Sequence, residues 1–200
     1  MSPKIAPIVE GKSEVDAVPV LLRRLLEEKG SYDIEIARPF RVKRYKVVKA
    51  GELERAIKLT QQDREDVDGI ILLLDSDDDA PADLQRDLLK RAKKAAKAPV
   101  VCVLAVREME CWFLGAKESL RGFRGIKNDA IAPIKPESIR GAKEELSNNM
   151  EKGRQYIEVD DQPAFAAKMD FQMARQRCPS FQNFEKELAR LLGKIRGKQG

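Results

Sequence analysis

The stretch 69-GIILLLDSDDD-79 decides how this chain is read. From Ile70 to Leu74 every residue is apolar, and then the sequence turns acidic at once. A strand with one wet face alternates apolar and polar residues. A continuous run predicts a strand covered on both faces, as in a parallel sheet between helices. Two further runs follow the same pattern. Ile5–Val9 (IAPIV) ends in Glu10, and Val100–Val106 (VVCVLAV) leads into Arg107, Glu108, Met109 and Glu110.

Helical segments fall between these runs. Ser13 is expected to cap a helix from about Glu14 to Lys29, with Asp16 completing a capping box and Gly30 ending it. A second helix is expected over Glu52–Glu65, and a third from Pro81 to about Lys97. Tyr32–Phe40 (YDIEIARPF) alternates as a half-buried strand does, and Arg41–Val48 extends or pairs with it. Pro7 is expected to put the first strand at an edge or a bulge. The alternation predicts an α/β fold, Rossmann-like, with a mostly parallel sheet, helices on both faces and right-handed crossovers. Beyond Trp112, glycines and prolines break the pattern, and helices are expected near Pro136–Lys152, Gln162–Arg175 and Phe181–Ile195. Residues 1–113 then form the α/β core, and residues 114–200 a helical annex packed on it.

Composition removes whole classes of chemistry. The 200 residues include no histidine, which excludes histidine-based triads and histidine zinc sites. Acid–base and metal work must come from carboxylates, lysines or tyrosines, and carboxylates select hard ions such as Mg²⁺ or Mn²⁺. The three cysteines lack CxxC spacing and fit reduced, buried thiols. With no secretory-type start and no long apolar run, the chain is expected to be soluble and cytoplasmic. Its 38 basic residues against 33 acidic ones are less telling than their clustering. Arg38–Lys49 carries six basic residues with Phe40 and Tyr45 among them, and Arg86–Lys97 carries six against one aspartate. Such segments suit a polyanion, with Lys12, Arg38, Arg41, Lys43, Arg44 and Lys46 as candidate nucleic-acid contacts. A solvated basic strand and helix face accounts for the same charges.

If the three strands run parallel, Glu10, Asp75 and Glu110 gather near one edge, where open α/β sheets bind ligands. Asp75 and Asp77, two apart in extended backbone, are expected to face one side together. Clustered carboxylates repel each other, and a divalent cation removes that penalty. Helix starts account more simply for Glu14 and for Asp78 or Asp79 ahead of Pro81. The triplet Gly11-Lys12-Ser13 is not a P-loop: Ala6 stands where that loop needs its first glycine.

VEGKSE followed by LLLDSDDD resembles the TOPRIM domain of topoisomerases, primases and OLD-type nucleases. With REMECWFLGA, Tyr156 and RCPSFQNFEKEL added, nearly the whole chain resembles a TOPRIM-like family of unknown function (domain of unknown function 4276). The resemblance implies proton transfer by Glu10 and Mg²⁺ (or Mn²⁺) on Asp75 and Asp77. Asp79 matches a third acid, and Glu110 a further ligand. Topoisomerase-type tyrosine and an ATPase domain are missing from the match. Fold resemblance alone does not transfer a reaction.

The leading expectation is a metal-dependent nuclease acting on DNA or RNA, with a separately encoded partner protein compatible with the chain. A non-catalytic TOPRIM-like module that binds nucleic acid or protein is the alternative. A phosphatase of the haloacid dehalogenase type fits poorly, since its DxD follows the first strand.

Overall fold

The computed structural model describes residues 2–62 and 67–197. Its sheet contains β1 (Lys4–Val9), β2 (Glu35–Ile36), β3 (Phe40–Arg41), β4 (Gly69–Asp75) and β5 (Val100–Ala105). The order is β2-β1-β4-β5, with β3 also on β1, and every pairing among these strands is parallel. Around it lie α1 (Glu14–Glu28), α2 (Arg44–Val47), α3 (Glu52–Gln62), α4 (Pro81–Ala95), α5 (Glu110–Gly115), α6 (Ala142–Asn148), α7 (Glu158–Lys168), α8 (Phe171–Arg177) and α9 (Pro179–Arg196). This is the α/β architecture with a parallel sheet that the apolar runs predict.

Alternation along the strands sorts the core into two layers. Ile71 and Leu73 of β4, with Val101 and Val103 of β5, pack among α1, α5 and the helices that follow. Ile70, Leu72 and Leu74, with Cys102 and Leu104, pack against α3 and α4. Helices therefore cover both faces. Phe165, Phe181, Phe184, Leu188 and Leu191 join the first layer, so segments 1–113 and 114–200 share one core. Trp112 anchors that junction. Its indole N–H donates to Ser180 Oγ at 2.7 Å, and its ring stacks on Phe184 with centroids 5.4 Å apart. All three cysteines are buried and free.

Pro7 corrects the expectation made from it. β1 is an interior strand, not an edge. Its odd carbonyls, those of Pro3, Ile5 and Val9, accept from the β2–β3 side. Pro7, which has no N–H to give, faces that side too. There the ladder is broken: Ile36 pairs with Ile5, but Phe40 pairs with Ile8, one residue out of step. Pro39, also without an N–H, sits in that gap. The long predicted strand is thus two short pieces, and Arg44–Val47 is helical where an extended strand was expected.

The other differences have local causes. Ser13 has helical backbone and makes no cap hydrogen bond. The predicted helix over Pro136–Lys152 is a 3₁₀ turn at Pro136–Ser138 and then α6, separated by Gly141 at φ 68°. The helix expected over Gln162–Arg175 starts earlier and breaks at Met169, whose ψ is 144°. Asp170 caps the next helix, accepting from the amides of Gln172 and Met173 at 2.7 and 3.0 Å. The predicted end of the second helix, Glu65, lies outside the described residues. Among the described residues no helix is long and apolar enough to cross a membrane.

Candidate functional site: a buried carboxylate cluster

After β1 the chain crosses to β2 on one side, and it later returns to place β4 on the other side of β1. The C-terminal ends of β1 and β4 thus flank a topological switch point, where a crevice opens in parallel sheets. Glu10 and Asp75 stand there, at the two strand ends. Asp75 shares the facing of Ile71 and Leu73, which turns it toward α1 and α5. Its Oδ1 accepts the amide of Met109 at 2.9 Å.

Glu14 completes the group. It opens α1, yet its side chain folds back over the turn: Oε2 accepts the amides of Glu10 at 3.0 Å and Gly11 at 3.1 Å. A Cβ on Gly11 would stand 3.2 Å from the Glu14 carboxyl carbon, so the glycine makes room for that return. One oxygen each from Glu10, Glu14 and Asp75 lies within 4.8 Å of the others. Oxygens that share an ion at about 2.0–2.6 Å are at most about 4–5 Å apart, so this spacing suits a divalent cation.

The electrostatics say the same. Burial, then the charges of Glu14 and Asp77, push the Glu10 carboxyl up to about 8, against Arg44 and Lys143. Asp75 is held well above the carboxylate range by burial and then by Glu14, Glu110 and Glu10. Burial likewise raises Glu14. Glu10 Oε2 is buried with no hydrogen-bond partner among the described residues. Carboxylates crowded and desolvated in this way gain most from a cation.

Behind the three acids lies a supporting layer from the C-terminal helices. Glu110 is fully buried, and burial pushes it up to about 7. Its Oε1 accepts from the Tyr156 hydroxyl and from Gln162 Nε2, both at 3.1 Å. Lys143 Nζ lies 4.0 Å from the same oxygen and 3.0 Å from Glu158 Oε2. Glu158 Oε1 in turn accepts from Ser13 Oγ at 2.7 Å, tying the start of α1 to this layer. Ser13, expected to cap α1, therefore serves the site instead.

A protein family described as Domain of unknown function (DUF4276) matches residues 9–189. The chain belongs to the DUF4276 family. No curated protein and no solved structure matches it. The family match begins at Val9 and ends inside α9, so it takes in Glu10, Glu14, Asp75, Glu110, Lys143 and Tyr156 together. The annex belongs to the family's unit as much as the sheet does.

In this DUF4276 chain the acids after β4 part ways. β4 ends at Asp75, and Asp77 has left-handed backbone at φ 50°, not the extended form expected. Asp77 is exposed and 3.4 Å from Arg44 Nε, and Asp79 lies 2.5 Å from Arg44 Nη2. Asp78 is paired with Arg107 at 2.8 Å and Arg140 at 3.0 Å. Of the run, Asp75 alone enters the buried cluster, with Asp77 at its border. Lys12, Arg38, Lys43 and Lys46 are exposed, as a polyanion contact requires. Arg41 is exposed too, with its Nε donating to the Glu10 carbonyl at 3.2 Å. Arg44 is occupied by Asp77 and Asp79. In the second basic segment, Arg91 is held by Glu54 at 2.9 Å. Sequence reasoning missed Glu14, whose only signal was an acid four residues after Glu10 with Gly11 between them. It also missed Lys143 and Glu158, which no local pattern marks.

Proposed function

We propose that this protein is a metal-dependent phosphoryl-transfer enzyme of the TOPRIM type acting on nucleic acid, a nuclease. The observation that carries the reading is the trio of oxygens from Glu10, Glu14 and Asp75 within 4.8 Å, in a crevice at the strand ends. Glu10, Glu14 and Asp75 would hold Mg²⁺ or Mn²⁺, with Glu110 behind them and Asp77 and Asp79 at the rim. A bound divalent ion supplies charge to polarise a phosphodiester. Glu10, whose Oε2 has no hydrogen-bond partner among the described residues, would offer that oxygen for proton transfer. Lys143 keeps its proton, since against the burial that lowers it Glu110 and Glu158 together raise it, and it would stay a cation beside the cluster. The exposed bases of segment 38–46 would carry the phosphate backbone.

A second reading has one observation behind it. Arg44 already neutralises Asp77 and Asp79, as a module that binds without cutting could do. Calorimetric titration with Mn²⁺, beside cleavage of labelled single- and double-stranded DNA and RNA, decides between them. Saturable Mn²⁺ binding with cutting supports the enzyme. No heat at millimolar Mn²⁺ and no cleavage would leave the binding module.

A further inference from the structure

A second feature lies next to the acid cluster and is not used by it. Between β3, α2 and α3 is a cavity of about 490 Å³, within the roughly 300–1,000 Å³ span of ligand sites. Its wall carries Phe40, Arg41, Lys43, Tyr45, Lys46 and Arg55, with Glu52 as the acid among the described lining residues. Tyr45 is 54% exposed. The ammonium groups of Lys43 and Lys49 lie 5.9 and 5.7 Å from the centre of its ring. A half-exposed aromatic ring among mobile-ended cations is the composition of a surface that stacks a base and holds its phosphate.

The cavity's position links it to the acids. β3 pairs with β1, which sets Arg41 beside Val9, and the Arg41 guanidinium reaches the Glu10 carbonyl. One residue of the cavity wall is thus a direct neighbour of the cluster. Arg44, on the same short helix as Tyr45, grips the acids at the cluster's rim. A strand whose backbone crosses the acids would meet this cavity by way of Arg41. Bases in a duplex are already stacked on both faces, and only an unpaired base can lie on a side chain.

We propose that this cavity is a binding subsite for one unstacked nucleotide of a single strand, with Tyr45 as the stacking face and Arg41, Lys43 and Arg55 holding phosphate. The proposal rests on the nucleic-acid reading of the neighbouring cluster, and names its substrate as single-stranded. It is tested by fluorescence anisotropy with labelled oligo-dT, oligo-U and a duplex of equal length, all in chelator so that no ion takes part. Tyr45→Ala should weaken single-strand binding about five- to a hundredfold, while Tyr45→Phe stays within about twofold. Duplex affinity should move less than about twofold in either variant, because stacked bases do not reach the ring. Arg55→Ala should flatten the slope of log affinity against log salt by about 0.7, and Tyr45→Ala should leave it unchanged. Equal losses on duplex, an unaffected Tyr45→Ala, or no single-strand binding at low salt overturns the proposal. So does displacement by polyglutamate of equal charge, which would show that the cavity reads charge alone. Because the anisotropy assay omits metal, it reads the subsite alone: Tyr45-dependent binding there, with no cleavage in the separate Mn²⁺ assay, would keep the subsite and reject the enzyme. Cleavage without Tyr45 dependence would do the reverse.

Discussion

The Glu14 carboxylate closes the turn that begins at Glu10: its Oε2 stands 3.0 Å from the Glu10 amide nitrogen. The same group supplies an oxygen to the acid trio, so structure and charge can be separated by substitution. Glu14→Gln keeps an acceptor for both amides and removes one buried negative charge. Its thermal stability in chelator should match or exceed the parent, while Mn²⁺ affinity falls by about tenfold or more, roughly the loss of one charged ligand. Glu14→Ala leaves two amides without acceptors and should lose about 1–3 kcal/mol in denaturant unfolding. Equal Mn²⁺ binding in parent and Glu14→Gln would remove Glu14 from the ligand set.

Asp75 and Asp77 make a second test. Asp75 is buried beside Glu10 and Glu14, whereas Asp77 is exposed and paired with Arg44. Asp75→Asn should weaken Mn²⁺ binding by about tenfold or more, and Asp77→Asn by no more than about threefold, as expected of a screened, exposed charge. Matching losses in calorimetry would mean that Arg44 releases Asp77 to the ion.

The raised Glu10 carboxyl makes stability depend on pH. Below about 4.5 the group is protonated in both folded and unfolded chains. Between 4.5 and about 8 the unfolded chain gives up its proton and the folded chain keeps it. The folded state then binds more protons, so metal-free stability should fall as pH rises through this window. Asp75 and Glu14, raised as well, act in the same direction. The loss from Glu10 is of the order of a few kcal/mol. Urea unfolding in chelator at several pH values should show a shallower fall for Glu10→Gln than for the parent. Parallel curves would contradict the assignment. Added Mn²⁺ should oppose the fall, since it displaces protons from the same carboxyls.

Docking of the C-terminal helices can be probed outside the acid cluster. A Cβ on Gly115, at the end of α5, would meet Cys178 Sγ at 2.5 Å. Gly115→Ala should therefore cost about 1–3 kcal/mol through overpacking. Adding Cys178→Ala should return part of that loss in the same thermal melts. A Gly115→Ala variant as stable as the parent would show that the two helices can part without cost.

The sheet was legible because Ile70–Leu74 and Val100–Ala105 carry buried-strand character in their own residues. The strand ends were legible too, and they led to Glu10 and Asp75. Four features were not. β2 and β3 are two residues each, too short for a period to show, and their break falls where the register shifts and Pro39 has no N–H to give. Asp77 lost its extended geometry to a turn held by tertiary bonds, with the Arg107 amide donating to Ser76 Oγ at 2.9 Å. Glu14 read as an ordinary acid at a helix start, because the fold-back that recruits it depends on room above Gly11. Lys143 and Tyr156 reach Glu110 through tertiary packing alone.

The packing of α9 has a consequence for synthesis. Leu191 and Ile195 press on Gly69 so closely that a Cβ there would stand 2.8 Å from Ile195 Cδ1. The face of β4 and β5 that α9 covers is made long before α9 itself emerges from a ribosome. Until then Ile71, Leu73, Val101 and Val103 form an uncovered apolar surface on a nascent chain. Such a surface recruits holding factors or neighbouring chains. The sheet can be assembled early, but it becomes safe from aggregation only when the helix drawn from the far end of the family's matched region settles onto it.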